Sequence, residues 1–195
     1  MKRDLLINIH GFLSSHESEK VIQLREYIAT QRKDIEFISL QLPDKPQAAV
    51  ELIEHTIDDN EEIYSRIALI GHSLGGYFAA HIASRRKLKC VLVNPLVRGY
   101  EILCEFLGDC HNPHTGELFD ITERDIEYLI SINVEPVVEK QLFLVMLQLG
   151  DEIISPEATL AHYEGCAQIV EPGGCHDFSG LVNHADTMLK FLFDS

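Results

Sequence analysis

The chain alternates short runs of consecutive apolar residues with longer stretches whose apolar residues recur at helical spacing. A strand that is apolar at every position is buried on both faces, and strands separated by helices run parallel in one sheet. The pattern therefore predicts an α/β fold with about six mostly parallel strands and helices on both faces. The predicted strands cover residues 5–9, 36–40, 67–70, 90–94, 141–149 and 168–170.

One stretch interrupts this alternation. Residues 99–140 lie between the fourth and fifth predicted strands and contain two helical patterns around a loop at residues 112–116. Thr122 is a candidate N-cap for the second helix, which is predicted to reach about Ile132. An insertion here lies over the ends of the strands, so we interpret it as a small helical cap within a single domain spanning residues 1–195.

The sequence Gly-His-Ser-Leu-Gly at residues 71–75 follows the third predicted strand and opens a helix predicted for residues 74–86. In this context Gly-x-Ser-x-Gly is typical of a nucleophile elbow, because small flanking residues let the chain turn tightly and lift the hydroxyl above the sheet. The helix N-terminus favours a developing oxyanion. Ser73 is therefore the candidate nucleophile, and a turn that merely requires glycines is the alternative interpretation.

A second motif, Ile-His-Gly-Phe at residues 9–12, follows the first predicted strand. In enzymes with this elbow, a loop at this position supplies one oxyanion-hole amide, and the residue after the nucleophile supplies the other. We predict that the backbone N–H groups of Phe12 and Leu74 form the oxyanion hole. His10 is interpreted as a scaffold residue, because triads of this fold run in the chain order serine, acid, histidine.

Two later loops satisfy that order. Gly-Asp-Glu at residues 150–152 follows the fifth predicted strand, and Gly-Gly-Cys-His at residues 173–176 follows the sixth. Sites of open α/β sheets form at the carboxyl ends of the strands, where both loops begin. We predict that His176 is the general base and that Asp151 orients it. Glu152 is the rival acid, and an ordinary surface-loop histidine is the alternative for His176.

The charge and cysteine content limit the partners and the compartment. A formal net charge of −15 at pH 7 repels phosphate backbones and anionic membrane surfaces, so we expect no nucleic-acid partner. No run approaches the roughly 20 apolar residues of a membrane span, and the first apolar run is too short for a signal peptide. Five cysteines at irregular spacing predict reduced thiols. We therefore expect a cytoplasmic protein, and the oligomeric state is left open.

A cluster of metal-binding residue types occurs inside the predicted cap. Asp109, Cys110, His111 and His114 match no standard ligand spacing, so an ordinary cap loop is the preferred interpretation. The sequence predicts no metal and no cofactor. It does not identify the residues that bind the substrate.

In chain order, these motifs resemble the YqiA/YcfP-type bacterial esterases, which are compact α/β hydrolases. The resemblance covers nearly the whole chain, and its most distinctive segments are Val-Asn-Pro at residues 93–95 and Asn-Pro-His-Thr-Gly at residues 112–116. It implies an α/β-hydrolase fold, for which we expect the strand order 2-1-3-4-5-6. It also implies carboxylic-ester hydrolysis through Ser73, Asp151 and His176.

Two positions depart from the family pattern. His72 precedes the nucleophile where relatives often have a small residue, and Cys175 precedes His176 where asparagine is usual. Both are expected to retune the pocket without removing the triad. The expected reaction is hydrolysis of a small-molecule ester through an acyl-enzyme on Ser73. The alternatives are an acyl-CoA thioesterase and a non-catalytic binding module on a hydrolase scaffold.

Overall fold

The computed structural model describes residues 2–194, and six of their strands form one parallel sheet. The strands are β1 (Asp4–Ile9), β2 (Ile35–Leu40), β3 (Ile67–His72), β4 (Cys90–Val93), β5 (Gly108–His111), β6 (Leu118–Ile121), β7 (Phe143–Gln148) and β8 (Ala167–Glu171). The sheet order is β2-β1-β3-β4-β7-β8, and every neighbouring pair is parallel. This is the predicted order, with β7 and β8 as the fifth and sixth strands of the sheet.

Helices cover both faces of this sheet, as the apolar strands predict. Alternate residues of β1 divide between two cores: Ile7 packs with Ile53 of α2, whereas Leu6 packs with Ile28 of α1 and Met188 of α7. The helices are α1 (Glu19–Gln31), α2 (Pro46–Asn60), α3 (Leu74–Arg86), α4 (Gly99–Leu103), α5 (Glu123–Ser131), α6 (Pro156–His162) and α7 (Ala185–Phe193). None of the helices in residues 2–194 has the length and apolarity to cross a membrane.

The segment between β4 and β7 differs from the sequence prediction of a purely helical cap. It contains α4 and α5, but β5 and β6 form an antiparallel hairpin between them. Each arm has only four residues and includes charged side chains, so it lacks the alternation that would have indicated a strand. The hairpin turn is closed by Asn112, whose side-chain oxygen accepts the backbone N–H groups of His114 and Thr115 at 2.9 and 3.3 Å.

Polar contacts fasten this cap to the rest of the fold. The buried Asn112 side chain donates to Asp44 Oδ1 at 2.7 Å, and Lys45 Nζ lies 2.6 Å from Asp125 Oδ2. On the other side, Tyr77 of α3 donates its hydroxyl proton to the backbone oxygen of Leu129 at 2.7 Å. The cap is therefore held against the loop before α2 and against the helix that follows the candidate nucleophile.

Candidate active site

Ser73 lies between the end of β3 and the start of α3, in the tight turn that the sequence predicts. Its backbone has φ 56° and ψ −124°, a conformation that non-glycine residues rarely adopt. The turn is fixed from both sides, because Ser73 N–H donates to Val93 O at 3.1 Å and Ser73 O accepts the N–H of Leu96 at 3.2 Å. Surrounding structure thus holds the serine in a strained position, a feature that is concentrated at functional sites.

The two glycines of the motif allow this turn to pack closely. A Cβ atom on Gly75 would collide with the backbone oxygens of Ile9 and His10, and one on Gly71 would collide with the backbone of Gly75. The first turn of α3 therefore lies directly against the end of β1. This close approach is the physical reason for small residues on either side of Ser73.

The structure brings the three predicted residues together. Ser73 Oγ lies 2.8 Å from His176 Nε2, and His176 Nδ1 lies 2.8 Å from Asp151 Oδ2. With the imidazole Nδ1–H donated to the carboxylate, Nε2 is left to accept the serine hydroxyl proton. The Asp151 side chain is only 1% exposed and that of His176 is 15% exposed, so the carboxylate is shielded and the imidazole remains reachable.

The two neighbouring acids make different contacts with the histidine. Asp151 Oδ2 contacts the ring, while its Oδ1 accepts the backbone N–H groups of Ile153 and Ile154 at 2.8 and 2.9 Å. Glu152 Oε2 instead accepts the backbone N–H of His176 at 3.0 Å. Of these two acids, Asp151 contacts the ring, whereas Glu152 contacts the backbone of the loop at residues 172–180, which we call the histidine loop.

The backbone amides of Phe12 and Leu74 lie on the loop after β1 and at the start of α3. Within residues 2–194, neither N–H donates a hydrogen bond to another atom of the chain. Unpaired amides at a helix start and at the adjacent loop are suited to binding a negatively charged oxygen.

The Phe12 ring also contacts the cap, with its centroid 5.1 Å from that of Phe106 and 6.0 Å from that of Phe119. The cap therefore packs on the loop that carries one of these amides.

His10 is buried and hydrogen-bonded within its own loop region. Its Nε2 accepts the backbone N–H of Leu42 at 3.0 Å, and its Nδ1–H donates to Gly11 O at 2.8 Å. Burial lowers the pKa of His10, so the neutral ring that these two bonds require is favoured. Both ring nitrogens are thus used to connect the loop after β1 to the loop after β2.

Two buried amide side chains, which the sequence analysis did not assign, hold the histidine loop. Asn94, which follows β4 with φ 39°, donates to the backbone oxygens of Cys175 and His176 at 3.0 and 2.9 Å. Its Oδ1 accepts the N–H of Gln148 at 3.0 Å. Gln148 Oε1 in turn accepts the N–H groups of Cys175 and Ser179 at 3.1 and 2.9 Å. We call Asn94 and Gln148 the amide pair.

His72, the first departure from the family pattern, also contacts the histidine loop. Its Nε2–H donates to the backbone oxygen of His176 at 2.7 Å. Its Nδ1 is buried and accepts no hydrogen bond from residues 2–194. Burial, assisted by the positive charge of Lys20, lowers the pKa of His72 to about 3. His72 is therefore a neutral support for the backbone of His176.

The residues that had suggested a metal lie on the cap hairpin. Asp109, Cys110 and His111 belong to β5, and His114 belongs to the turn after it. Within residues 2–194, the structure contains no group of three or more histidine, cysteine or acidic side chains arranged to hold a metal ion.

Comparison with known proteins agrees with this architecture. A family model described as "Uncharacterised protein family (UPF0227)" matches residues 5–193. The chain belongs to this family. The match confirms the resemblance to the YqiA/YcfP-type family that the sequence motifs indicated.

Several solved structures are similar to this UPF0227 member over almost its whole length. Est1E from Butyrivibrio proteoclasticus is 16% identical with a TM-score of 0.77, and the match covers 99% of this chain and 88% of that one. Mouse alpha/beta hydrolase domain-containing protein 10 is 18% identical with a TM-score of 0.71, covering 95% and 89%. A soluble variant of monoglyceride lipase from Saccharomyces cerevisiae is 13% identical with a TM-score of 0.67, covering 98% and 88%. These likenesses establish the α/β-hydrolase fold.

The amide pair generates a prediction about stability. Asn94→Ala removes the acceptor of the Gln148 N–H and places alanine at a positive φ, so the free energy of unfolding should fall by about 1–3 kcal/mol. Asn60→Ala is the matched control, because the hydrogen bond from the Asn60 amide to Thr56 O lies within its own helix. Urea denaturation measures both variants. Equal losses in the two variants would show that the amide pair does not hold the loop.

His72 generates a prediction about pH. A histidine whose pKa is lowered on folding binds more protons in the unfolded state, so its contribution is complete above about pH 6.5 and is lost as the pH falls toward 3. His72→Gln retains a donor toward His176 O without titrating, so the free energy of unfolding should decline less between pH 6.5 and 4.5. His55→Gln, on the exposed face of α2, is the control. An unchanged pH slope in His72→Gln would contradict the assignment.

Proposed function

We propose that this chain is a serine hydrolase that cleaves carboxylic esters through an acyl-enzyme on Ser73. The observation that carries the proposal is the continuous hydrogen-bonded series from Ser73 Oγ to His176 Nε2 and from His176 Nδ1 to Asp151, with 2.8 Å at each step. A serine hydroxyl paired with a base, and a base oriented by an acid, is the arrangement that activates a nucleophile for acyl transfer.

In the first half of the proposed reaction, Ser73 Oγ attacks the ester carbonyl carbon while His176 Nε2 takes the hydroxyl proton. The carbonyl oxygen becomes an oxyanion, and in this proposal the unpaired amides of Phe12 and Leu74 donate to it. Losing one donor of this kind typically costs about 3 kcal/mol of transition-state stabilisation. His176 then returns the proton to the departing alcohol, which leaves an acyl-enzyme on Ser73.

In the second half, His176 Nε2 takes a proton from water, and the resulting hydroxide attacks the acyl-enzyme carbonyl. The carboxylic acid is released when His176 returns the proton to Ser73 Oγ. The buried Asp151 carboxylate keeps the imidazole in the tautomer that accepts at Nε2 and stabilises the imidazolium formed in each step. The two backbone N–H groups on its other oxygen fix its orientation.

The choice of esters as substrates rests on the name of a protein with this fold. The yeast protein is named a monoglyceride lipase, and glycerides are carboxylic esters. The net charge of −15 disfavours the polyanionic coenzyme A of an acyl-CoA substrate, so the thioesterase alternative ranks second. A non-catalytic binding role is disfavoured because it would not require Ser73, His176 and Asp151 to be in hydrogen-bond contact.

A fluorophosphonate probe tests the proposal directly. Folded protein should form a covalent adduct on Ser73, located by mass spectrometry, and Ser73→Ala should abolish it. Hydrolysis of p-nitrophenyl acetate should fall by about 10³-fold or more in Ser73→Ala, as removal of a triad nucleophile does elsewhere. Ser131→Ala is the matched control, since the exposed Ser131 Oγ donates to Tyr128 O within α5. Near-complete activity in Ser73→Ala, or no adduct on the folded protein, would refute the proposed mechanism.

A further inference from the structure

A groove of about 550 Å³ runs between the start of the cap and α6. Its volume lies within the range of small-molecule sites, about 300–1,000 Å³. Side chains that follow β4 form one wall, and side chains that follow Asp151 form the other. Its apolar lining residues include Leu96, Val97, Ile102, Ile153, Ile154 and Ala158.

Each wall begins at a residue whose backbone N–H is hydrogen-bonded to Ser73 or to Asp151. The backbone N–H of Leu96 donates to the backbone oxygen of Ser73 at 3.2 Å. The N–H groups of Ile153 and Ile154 donate to Asp151 Oδ1 at 2.8 and 2.9 Å. The groove therefore adjoins the segments that carry Ser73 and Asp151.

The position of the groove favours the acyl part of an ester over its alcohol part. The departing alcohol must lie beside His176 Nε2 to receive its proton. Within the part of the chain that the structure describes, no residue of the histidine loop, residues 172–180, lines the groove. The groove is therefore a better site for the acyl part of the ester, which remains bonded to Ser73 after the alcohol departs.

The charges around the groove disfavour an anionic chain. Arg98 is paired with Glu101 at 3.4 Å, and Glu135 adds a second carboxylate to the lining. Burial lowers the pKa of His162, so its ring adds no compensating positive charge at neutral pH. One guanidinium and two carboxylates leave the lining with an excess of negative charge, which repels a carboxylate or phosphate on the bound chain.

We propose that this groove binds the acyl chain of the substrate and selects uncharged hydrocarbon chains longer than acetyl. The inference rests on the ester hydrolysis proposed above and assigns its substrate class. Chain length should then raise kcat/KM by at most about fourfold for each methylene that the groove buries. An anionic group at the far end of the chain should lower it.

Chain length is tested with p-nitrophenyl acetate and octanoate. The wild type should prefer octanoate, and Ala158→Trp, which fills the groove from an exposed helix position, should lower the octanoate-to-acetate ratio of kcat/KM at least tenfold. Ile153→Ser, which removes apolar surface from a half-exposed position, should lower the ratio as well. Ala29→Trp, on the exposed face of α1, is the matched control and should leave the ratio unchanged.

Charge is tested with p-nitrophenyl octanoate and the mono-p-nitrophenyl ester of suberic acid, which has the same chain length and a terminal carboxylate. The wild type should favour octanoate, and Glu135→Lys should reduce that preference at least threefold. Glu127→Lys makes the same charge change on exposed α5 outside the groove and should have no such effect.

The outcomes separate the two proposals. Activity that depends on Ser73, combined with chain-length and charge preferences that none of the three groove variants alters, would overturn the groove assignment alone. An equal change in the groove variants and in their matched controls would overturn it too. Absence of Ser73-dependent hydrolysis on every ester would instead refute the proposed function. A selective loss of octanoate preference in Ala158→Trp, with Ala29→Trp unchanged, supports the groove as the acyl site.

Discussion

The carboxyl ends of β3, β4, β7 and β8 lie along one edge of the sheet, and the arrangement of the candidate site depends on that parallel packing. Ser73 follows β3, Asn94 follows β4, Asp151 follows β7 and His176 follows β8. Parallel strands point their carboxyl ends the same way, so residues far apart in sequence arrive at one edge. Ser73 and His176 are separated by 103 positions, yet Oγ and Nε2 are 2.8 Å apart.

A shared sheet edge brings these segments near one another, but it does not by itself place their side chains at hydrogen-bonding distance. Local contacts must fix the positions of the loops. Several side chains outside the histidine loop hold its backbone, and three of them act beside His176. Asn94 and His72 donate to the backbone of His176, and Gln148 accepts from the backbone on both sides of it. Because these polar groups are buried, the loss of a hydrogen-bond partner by any of them would lower the free energy of unfolding by about 1–3 kcal/mol. That penalty favours one loop position, the one in which the imidazole reaches Ser73.

The cap also contacts the candidate site. Phe12 carries an amide proposed for the oxyanion hole, and its ring packs against Phe106 and Phe119 of the cap. The groove is lined by residues at the start of the cap and by α6. One insertion therefore contacts both the proposed oxyanion loop and the proposed acyl site.

Much of this could be predicted from sequence because its signals are local. The central strands β1, β4 and β7 are buried at every position, and the motif around Ser73 places a strand, a turn and a helix in succession. The amide pair could not be found in this way, because Asn94 and the His176 backbone it contacts are 82 positions apart. The available signal was a polar residue directly after a wholly buried strand. The cap hairpin could not be predicted because its short arms do not alternate apolar and polar residues as a strand does. The groove could not be predicted because its two walls come from separate segments of the chain.

The most direct test of the central claim compares the two neighbouring acids. Asp151→Asn and Glu152→Gln each replace a carboxylate by an amide of the same shape, and kcat for p-nitrophenyl acetate is measured for both. If Asp151 orients His176 through its ring, Asp151→Asn should lower kcat by about 10⁴-fold, as the same change does in other triads. Glu152→Gln keeps an oxygen for the His176 N–H and should stay within about tenfold of the wild type. Equal losses, or a larger loss in Glu152→Gln, would contradict the account.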